Sequence, residues 1–197
     1  MAIGHLQRFR LARLVRRAQR GDARAFSALF SMLHPLVYGY LAARVRVRAD
    51  AEDLTADTLH RFVDRIGRYD ASKGGVRGWV LTIARNTLID HVRKAGRQDV
   101  APLEDVEHLL ADGRFAPDGG DLDTRQQQVR DALAGHPPAT REMFALRYGE
   151  GLTVAEIAVV LNMSESAVKQ RFSRALRAIK QQLEKTPPEE EAAHAHS

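Results

Sequence analysis

The sequence predicts an all-α protein made of two small helical domains joined by a flexible acidic linker. Three observations carry this. Apolar residues recur at helical spacing through most of the 197-residue chain. Aromatic residues are only 6% of the total while Ala, Leu, Arg and Glu recur, a composition that favours helix over sheet. Charge is also distributed in blocks. Residues 1–100 hold 19 Lys/Arg against 9 Asp/Glu, residues 101–123 hold 1 against 7, and residues 124–185 hold 10 against 6. Two basic blocks separated by an acidic one read as two polyanion-facing modules on a linker. The apolar share, 44%, is enough to build a core.

The first domain spans residues 5–97. Leu6, Phe9, Leu14, Val15 and Ala18 fall at helical spacing, and Gly21-Asp22 stops that helix and caps the next. Phe26, Leu29, Phe30, Leu33, Leu36, Val37, Tyr40 and Leu41 continue an apolar face, in which Pro35 should place a kink or a break. Asp50 is positioned to cap a third helix with Leu54, Thr58, Leu59, Phe62 and Ile66 inward. After a loop from Gly67 to Gly75, a fourth helix runs from about Val76 to Lys94, with Trp79, Ile83, Leu88 and Val92 inward.

From residue 98 to 123 no apolar face persists. Pro102, Gly113, Pro117, Gly119 and Gly120 stand among eight acids, the signature of a linker, with a weak helical stretch at Leu103–Leu110. The second domain spans residues 124–184. His136-Pro137-Pro138 ends one helix and starts another that carries Met143, Phe144, Leu146 and Tyr148. Thr153-Val154-Ala155-Glu156 is a capping box, in which each side chain satisfies a backbone N–H at the helix start. That helix breaks at Asn162-Met163, and Ser164 is placed to cap a last helix through Val168, Phe172, Leu176 and Ile179 to about Leu183. Residues 185–197 read as a disordered tail.

Several function classes lose support. Cysteine is absent, which excludes disulfides, a thiolate zinc site and a cysteine nucleophile. His34, His60, His91 and His108 are scattered, no His/Asp/Glu group has metal spacing, and no Gly-rich phosphate loop or nucleophile elbow occurs. The expectation is a protein that is not an enzyme and needs no cofactor, metal or small-molecule substrate. The chain start lacks a signal-peptide apolar stretch and no apolar run approaches a membrane span, so the chain is expected in the cytoplasm without membrane insertion.

Val154–Leu161, a short turn and a longer helix from about Glu165 form a helix-turn-helix. With Val168, Phe172 and Ile179 inward, the outward face presents Ser166, Lys169, Gln170, Ser173, Arg174 and Arg177. Hydroxyls, an amide and cations on one face suit bases and phosphates; the same residues also suit a plain solvated helix.

The first domain adds to this. Gly21-Asp22-Ala23-Arg24-Ala25-Phe26, Asp50-Ala51-Glu52-Asp53-Leu54 and Trp79 through Asn86 occur in order, followed by Asp90 and Arg93. This resembles region 2 of the extracytoplasmic-function (ECF) sigma factors of RNA polymerase. His136-Pro137-Pro138, Leu146-Arg147-Tyr148, Gly151-Leu152-Thr153, Glu156-Ile157-Ala158 and Ala167-Val168-Lys169 resemble their region 4.

The resemblance implies a factor that binds core polymerase and directs initiation at particular promoters. Its expected partners are the clamp helices of the largest subunit, the flap of the second-largest subunit, promoter DNA and an anti-sigma factor. Glu52, Asp53 and Asp57 would dock on the clamp, and Ala56 stands where family members usually carry Gln. Lys73, Arg77, Arg85, Asn86 and Lys94 would serve the −10 element. There the family captures bases taken out of the stack, which needs polar groups for the base edge and cations for phosphate. Trp79 suits either base stacking or core packing. Ser166, Lys169, Gln170, Ser173, Arg174 and Arg177 would serve the −35 element. Two alternatives share some of these features: a helix-turn-helix regulator that acts without joining polymerase, and a helical adaptor that binds only protein.

Overall fold

The computed structural model describes residues 2–95 and 131–185, and among these every regular element is helical. The linker at 98–123, the helical stretch at Leu103–Leu110, the start of the second domain at 124 and the tail from 186 lie outside the described residues.

Helix α1 (Ala2–Ala18) is followed by α2 (Ala23–Ala42), α3 (Arg48–Arg65) and α4 (Val76–Ala95), with two short 3-10 turns between α3 and α4. Asp22 caps α2 as expected. Its carboxylate accepts the Ala25 N–H at 3.0 Å and the Arg17 Nε–H at 2.8 Å. The backbone bond to Ala25, with Arg17 second, holds the Asp22 carboxyl below its ordinary pKa. Successive helices pack on one another, and α4 also packs on α1 and α2. The centre of this bundle holds Val15, Leu29, Leu33, Val37, Tyr40, Leu41, Leu81 and Leu88, all fully buried. Burial of each such aliphatic side chain favours the fold by about 1.5–3 kcal/mol.

Four local expectations need correction. Helix α2 runs unbroken through Pro35. The proline lies on the exposed side of the helix, so the carbonyl of Ser31 that it leaves unbonded faces outward. Helix α3 starts at Arg48 with Val47 as its N-cap and no side-chain cap bond; Asp50 sits in the first turn, where its charge suits the helix dipole. In α1 the buried position is Leu11, not Phe9, which is 70% exposed. Helix α2 is also long and apolar enough, by composition alone, to cross a membrane. Its apolar stripe is spent on the core: Ala25, Leu29, Leu33, Val37, Tyr40 and Leu41 are all buried.

In the second module, residues 131–134 are helical, and α5 (Pro138–Phe144) begins with a proline in its first turn and runs into a π-turn, Ala145–Gly149. Then come α6 (Val154–Leu161) and α7 (Glu165–Lys185). The capping box is complete. Thr153 N–H donates to the Glu156 carboxylate at 2.9 Å, and the Glu156 N–H donates back to Thr153 Oγ1 at 3.3 Å. Asn162 ends α6 in the left-handed conformation, φ 51°. Ser164 Oγ accepts the Ala167 N–H at 3.2 Å at the start of α7. In α7 the buried register is Val168, Phe172, Ala175 and Ile179; Leu176, read as part of the apolar run, is 46% exposed.

The two modules are packed together. Helix α6 lies against α4, and the buried apolar residues of both modules form one connected cluster. Close approach is possible because glycines stand just before and within the first turn of α4, Gly75 and Gly78: a Cβ on Gly78 would stand 3.1 Å from the Glu156 backbone.

Candidate nucleic-acid interface

Helix α7 presents its six candidate residues together. Phe172 packs on Phe144 of α5, ring centroids 5.1 Å apart, and fixes the rotation of α7 about its axis. Ser166, Lys169, Gln170, Ser173, Arg174 and Arg177 then all fall on the exposed side. Their internal ties are slight: Lys169 lies 3.9 Å from Glu165 one turn earlier, and Arg177 Nε donates to the Ser173 carbonyl at 3.2 Å. A surface pair of that kind contributes at most a few tenths of a kcal/mol. These groups are therefore available to a ligand at little cost.

The candidates in the first module are held differently. The loop before α4 is braced: Asp70 Oδ1 accepts the Ser72 N–H at 2.9 Å, and Tyr69 O–H donates to the Gly74 carbonyl at 2.9 Å. Lys73 lies in the 3-10 turn Ala71–Lys73 of this loop. Trp79 packs between Phe62 and Tyr69, with ring centroids 5.1 Å from each, which makes it a packing residue here. Asn86 and Lys94 are exposed.

Arg77 and Arg85 are engaged by the second module. Arg77 Nη2 donates to the Glu150 carbonyl. Arg85 Nε donates to Glu142 Oε1 at 3.1 Å, and the same oxygen accepts the Tyr40 O–H at 3.4 Å. Glu142 is 2% exposed. Burial raises its pKa above the ordinary glutamate range despite the opposing pull of Arg85, and burial raises Glu150 likewise. From sequence, Tyr40 enters only as part of an apolar face and Glu156 only as part of a capping box and the region 4 resemblance, and neither Glu142 nor Glu150 is singled out. One signal was available: Glu142 is a lone acid followed by Met143-Phe144-Ala145-Leu146, where an unpaired charge would be costly.

The acidic candidates line the outward side of α3. Glu52 accepts Arg48 Nε–H at 2.8 Å, and Asp57 pairs at 3.0 Å with Arg61, which also reaches Asp90 on α4 at 3.1 Å. Asp53 is exposed and enters no ion pair among the described residues. Ala56 is exposed between them.

The Sigma-70 region 2 model matches residues 29–98, and the Sigma-70 region 4 model matches residues 126–179. The chain is 34% identical over 172 residues to the ECF RNA polymerase sigma factor BldN of Streptomyces coelicolor, a match that covers 86% of this chain and 64% of BldN. It is 30% identical over 165 residues to the ECF RNA polymerase sigma factor RpoE of Cereibacter sphaeroides, covering 82% of this chain and 88% of that one. The fold is similar to that of the sigma factor RpoE from Bartonella quintana, solved in complex with the anti-sigma factor NepR. That likeness has a TM-score of 0.55 at 21% identity and covers 82% of this chain and 98% of that one.

Proposed function

The chain belongs to the ECF sigma factors of RNA polymerase, and on that premise we propose how its two modules divide the work of promoter recognition. It binds core polymerase and directs promoter-specific initiation, while the polymerase carries out the chemistry. The exposed acids Glu52, Asp53 and Asp57 dock on the basic clamp helices of the largest subunit, and the second module meets the flap of the second-largest subunit. Lys73, Arg77, Arg85, Asn86 and Lys94 serve the −10 element: Asn86 reads a base edge and the cations hold phosphates. Helix α7 enters the major groove at −35. The factor works in the cytoplasm, where polymerase is, without a cofactor, and an anti-sigma factor holds it in check.

The observation that carries this reading is the pairing of a region 2 module with a capped helix-turn-helix whose second helix turns its whole polar face to solvent. A regulator that never joins polymerase would have no use for a region 2 module.

Run-off transcription with core polymerase over a randomised promoter library tests the proposal. Transcripts from a defined −35/−10 class that depend on this chain are expected; none above the level of core alone would refute it. The docking face is tested by Asp53→Lys with Asp57→Lys. These changes should weaken core binding and leave the helical circular dichroism intact, whereas unchanged affinity would place the docking face elsewhere.

A further inference from the structure

We propose that the arginine face of α1 is an additional DNA-contact surface, which grips the phosphate backbone of promoter DNA beside the −10 residues. This rests on the sigma-factor reading above but concerns residues that reading does not use. Residues 1–21 contain six arginines (8, 10, 13, 16, 17 and 20) and no acid. The region 2 match begins only at residue 29, so α1 lies outside it.

The structure puts most of this charge on one side. Leu11, Leu14 and Val15 are buried, and Arg10, Arg13, Arg16, Arg17 and Arg20 are exposed. Arg17 is tied to Asp22 at 2.6 Å, whereas Arg10, Arg13, Arg16 and Arg20 enter no ion pair among the described residues. At about 1.5 Å rise per residue, Arg13 to Arg20 spans about 10 Å. That is the axial length of about three nucleotides of one strand at 3.4 Å each. All the cations are arginine, whose planar fork matches phosphate oxygens.

Position supplies the second argument. Gln19, at the end of α1, donates to the carbonyls of Ile66 at 2.8 Å and Tyr69 at 3.1 Å, which fastens the arginine helix to the loop that leads into α4. Arg16 is close enough to Tyr69 to act electrostatically on its hydroxyl. Arg65 and Arg68, both exposed, extend the cationic edge from the end of α3. A phosphate backbone leaving the −10 candidates toward this edge meets more cations than acids: Asp22 is already paired with Arg17 and Asp64 with His60, which leaves Asp70 beside Tyr69 as the opposing charge. An anionic membrane fits less well. A helix that lies on lipid needs its apolar face free, and the apolar face of α1 is buried in the bundle.

The test compares holoenzyme reconstituted from core polymerase and the full-length chain, wild type against the triple variant Arg13→Gln, Arg16→Gln, Arg20→Gln. Gln is nearly as good a helix former as Arg, so the fold should survive, and circular dichroism checks it. The probe is a promoter duplex selected in the run-off library, bound at several salt concentrations. Loss of three phosphate contacts should lower the slope of log affinity against log salt by about 2–3 units. The Lys triple variant should restore most of it, and core affinity should stay unchanged. An unchanged slope, with wild-type holoenzyme still transcribing from the selected promoter, overturns the inference and leaves the sigma-factor reading standing. Loss of core affinity in the triple variant also overturns it, since the arginines would then face polymerase. If wild-type holoenzyme selects no promoter, the sigma-factor reading falls. The stripe is then judged by the same slope on a random-sequence duplex, where an unchanged value again overturns it.

Discussion

The two surfaces proposed to face DNA use similar side chains in opposite states. On α7 the cations Lys169, Arg174 and Arg177 stand in solvent with only weak ties within their own helix. On α4, Arg77 and Arg85 are held by groups of the other module, and the acid that holds Arg85 is buried. A surface of the first kind can meet DNA without rearrangement. A surface of the second kind must first be uncovered, and the cost of uncovering it is the free energy of the module–module packing. Arginine content alone would rank the two surfaces as equivalent. What separates them is two acceptors of the second module, the Glu150 carbonyl on Arg77 and the buried Glu142 carboxylate on Arg85.

The largest expected effect tests that carboxylate from both sides. Arg85→Ala leaves Glu142 buried without its cation, and removal of one partner from such a pair costs about 3 kcal/mol. Glu142→Gln should cost far less. Arg85 and Tyr40 both donate to Oε1 alone, and the amide oxygen can accept both while shedding a desolvated charge. Thermal unfolding of the two variants at neutral pH would rank them, and a larger loss for Glu142→Gln would break the comparison.

The sign with pH follows from the same group. A carboxyl whose pKa is raised in the fold favours the folded state while protonated, so its contribution is complete below the ordinary value of 4.5 and is lost as pH rises through the raised one. Glu150 shifts in the same direction. Wild-type packing should therefore loosen as pH rises from about 4.5 toward neutrality. Glu142→Gln should flatten that dependence, and an identical pH profile in the two proteins would contradict it.

A pair of glycines gives the next largest contrast. Gly39 lies in α2 with nothing near the place of its Cβ, so Gly39→Ala should stabilise by about 0.5–1 kcal/mol through helix propensity. Gly78→Ala gains the same propensity but drives a methyl to 3.1 Å from the α6 backbone, and overpacking of that kind costs about 1–3 kcal/mol. Opposite signs in denaturant unfolding are expected. If both substitutions stabilise, α4 and α6 are not in close contact.

The effects on the uncovered surface are confined to DNA binding and leave the fold unchanged. Gln170→Ala should lower discrimination among −35 sequences, by about 1–3 kcal/mol for a bidentate contact with adenine, and leave the salt slope alone. Lys169→Ala should weaken binding to all sequences alike and reduce the slope by about one unit. Holoenzyme binding to −35 variants at several salt concentrations separates the two. An unchanged ranking with Gln170→Ala would move base reading to another residue.

Sequence made the helix-turn-helix legible because its determinants are local. The Thr153/Glu156 box, Asn162 at positive φ and the Ser164 cap lie within twelve residues and act on their own backbone. Helical periodicity also located α1 to α4, but it left the rotation of a helix uncertain by about one residue. Val168, Phe172 and Ile179 are buried as read, but Phe9 and Leu176, which share the apolar spacing, are exposed while nearby Leu11 and Ala175 are buried, and spacing alone does not settle which of them faces the core. The Arg85–Glu142 pair was not legible: its partners are 57 positions apart, across the acidic segment, and the apolar run after Glu142 asks for a partner without naming Arg85. Gly75 and Gly78 carried a trace of the interface, since two glycines at the start of a helix permit a close neighbour without naming it.

Arg77 and Arg85, proposed for the −10 element, are covered by the second module in the free chain and must be uncovered in the holoenzyme for that role. The chain has no cysteine, so Ser31→Cys on α2 and Lys180→Cys on α7, both exposed, can carry a pair of spin labels with no background. Distances measured by electron–electron double resonance should show one narrow population in the free chain. A different population should replace it once core polymerase and promoter DNA are bound. The same distance in both states would mean that Arg85 never leaves Glu142, and would contradict the account.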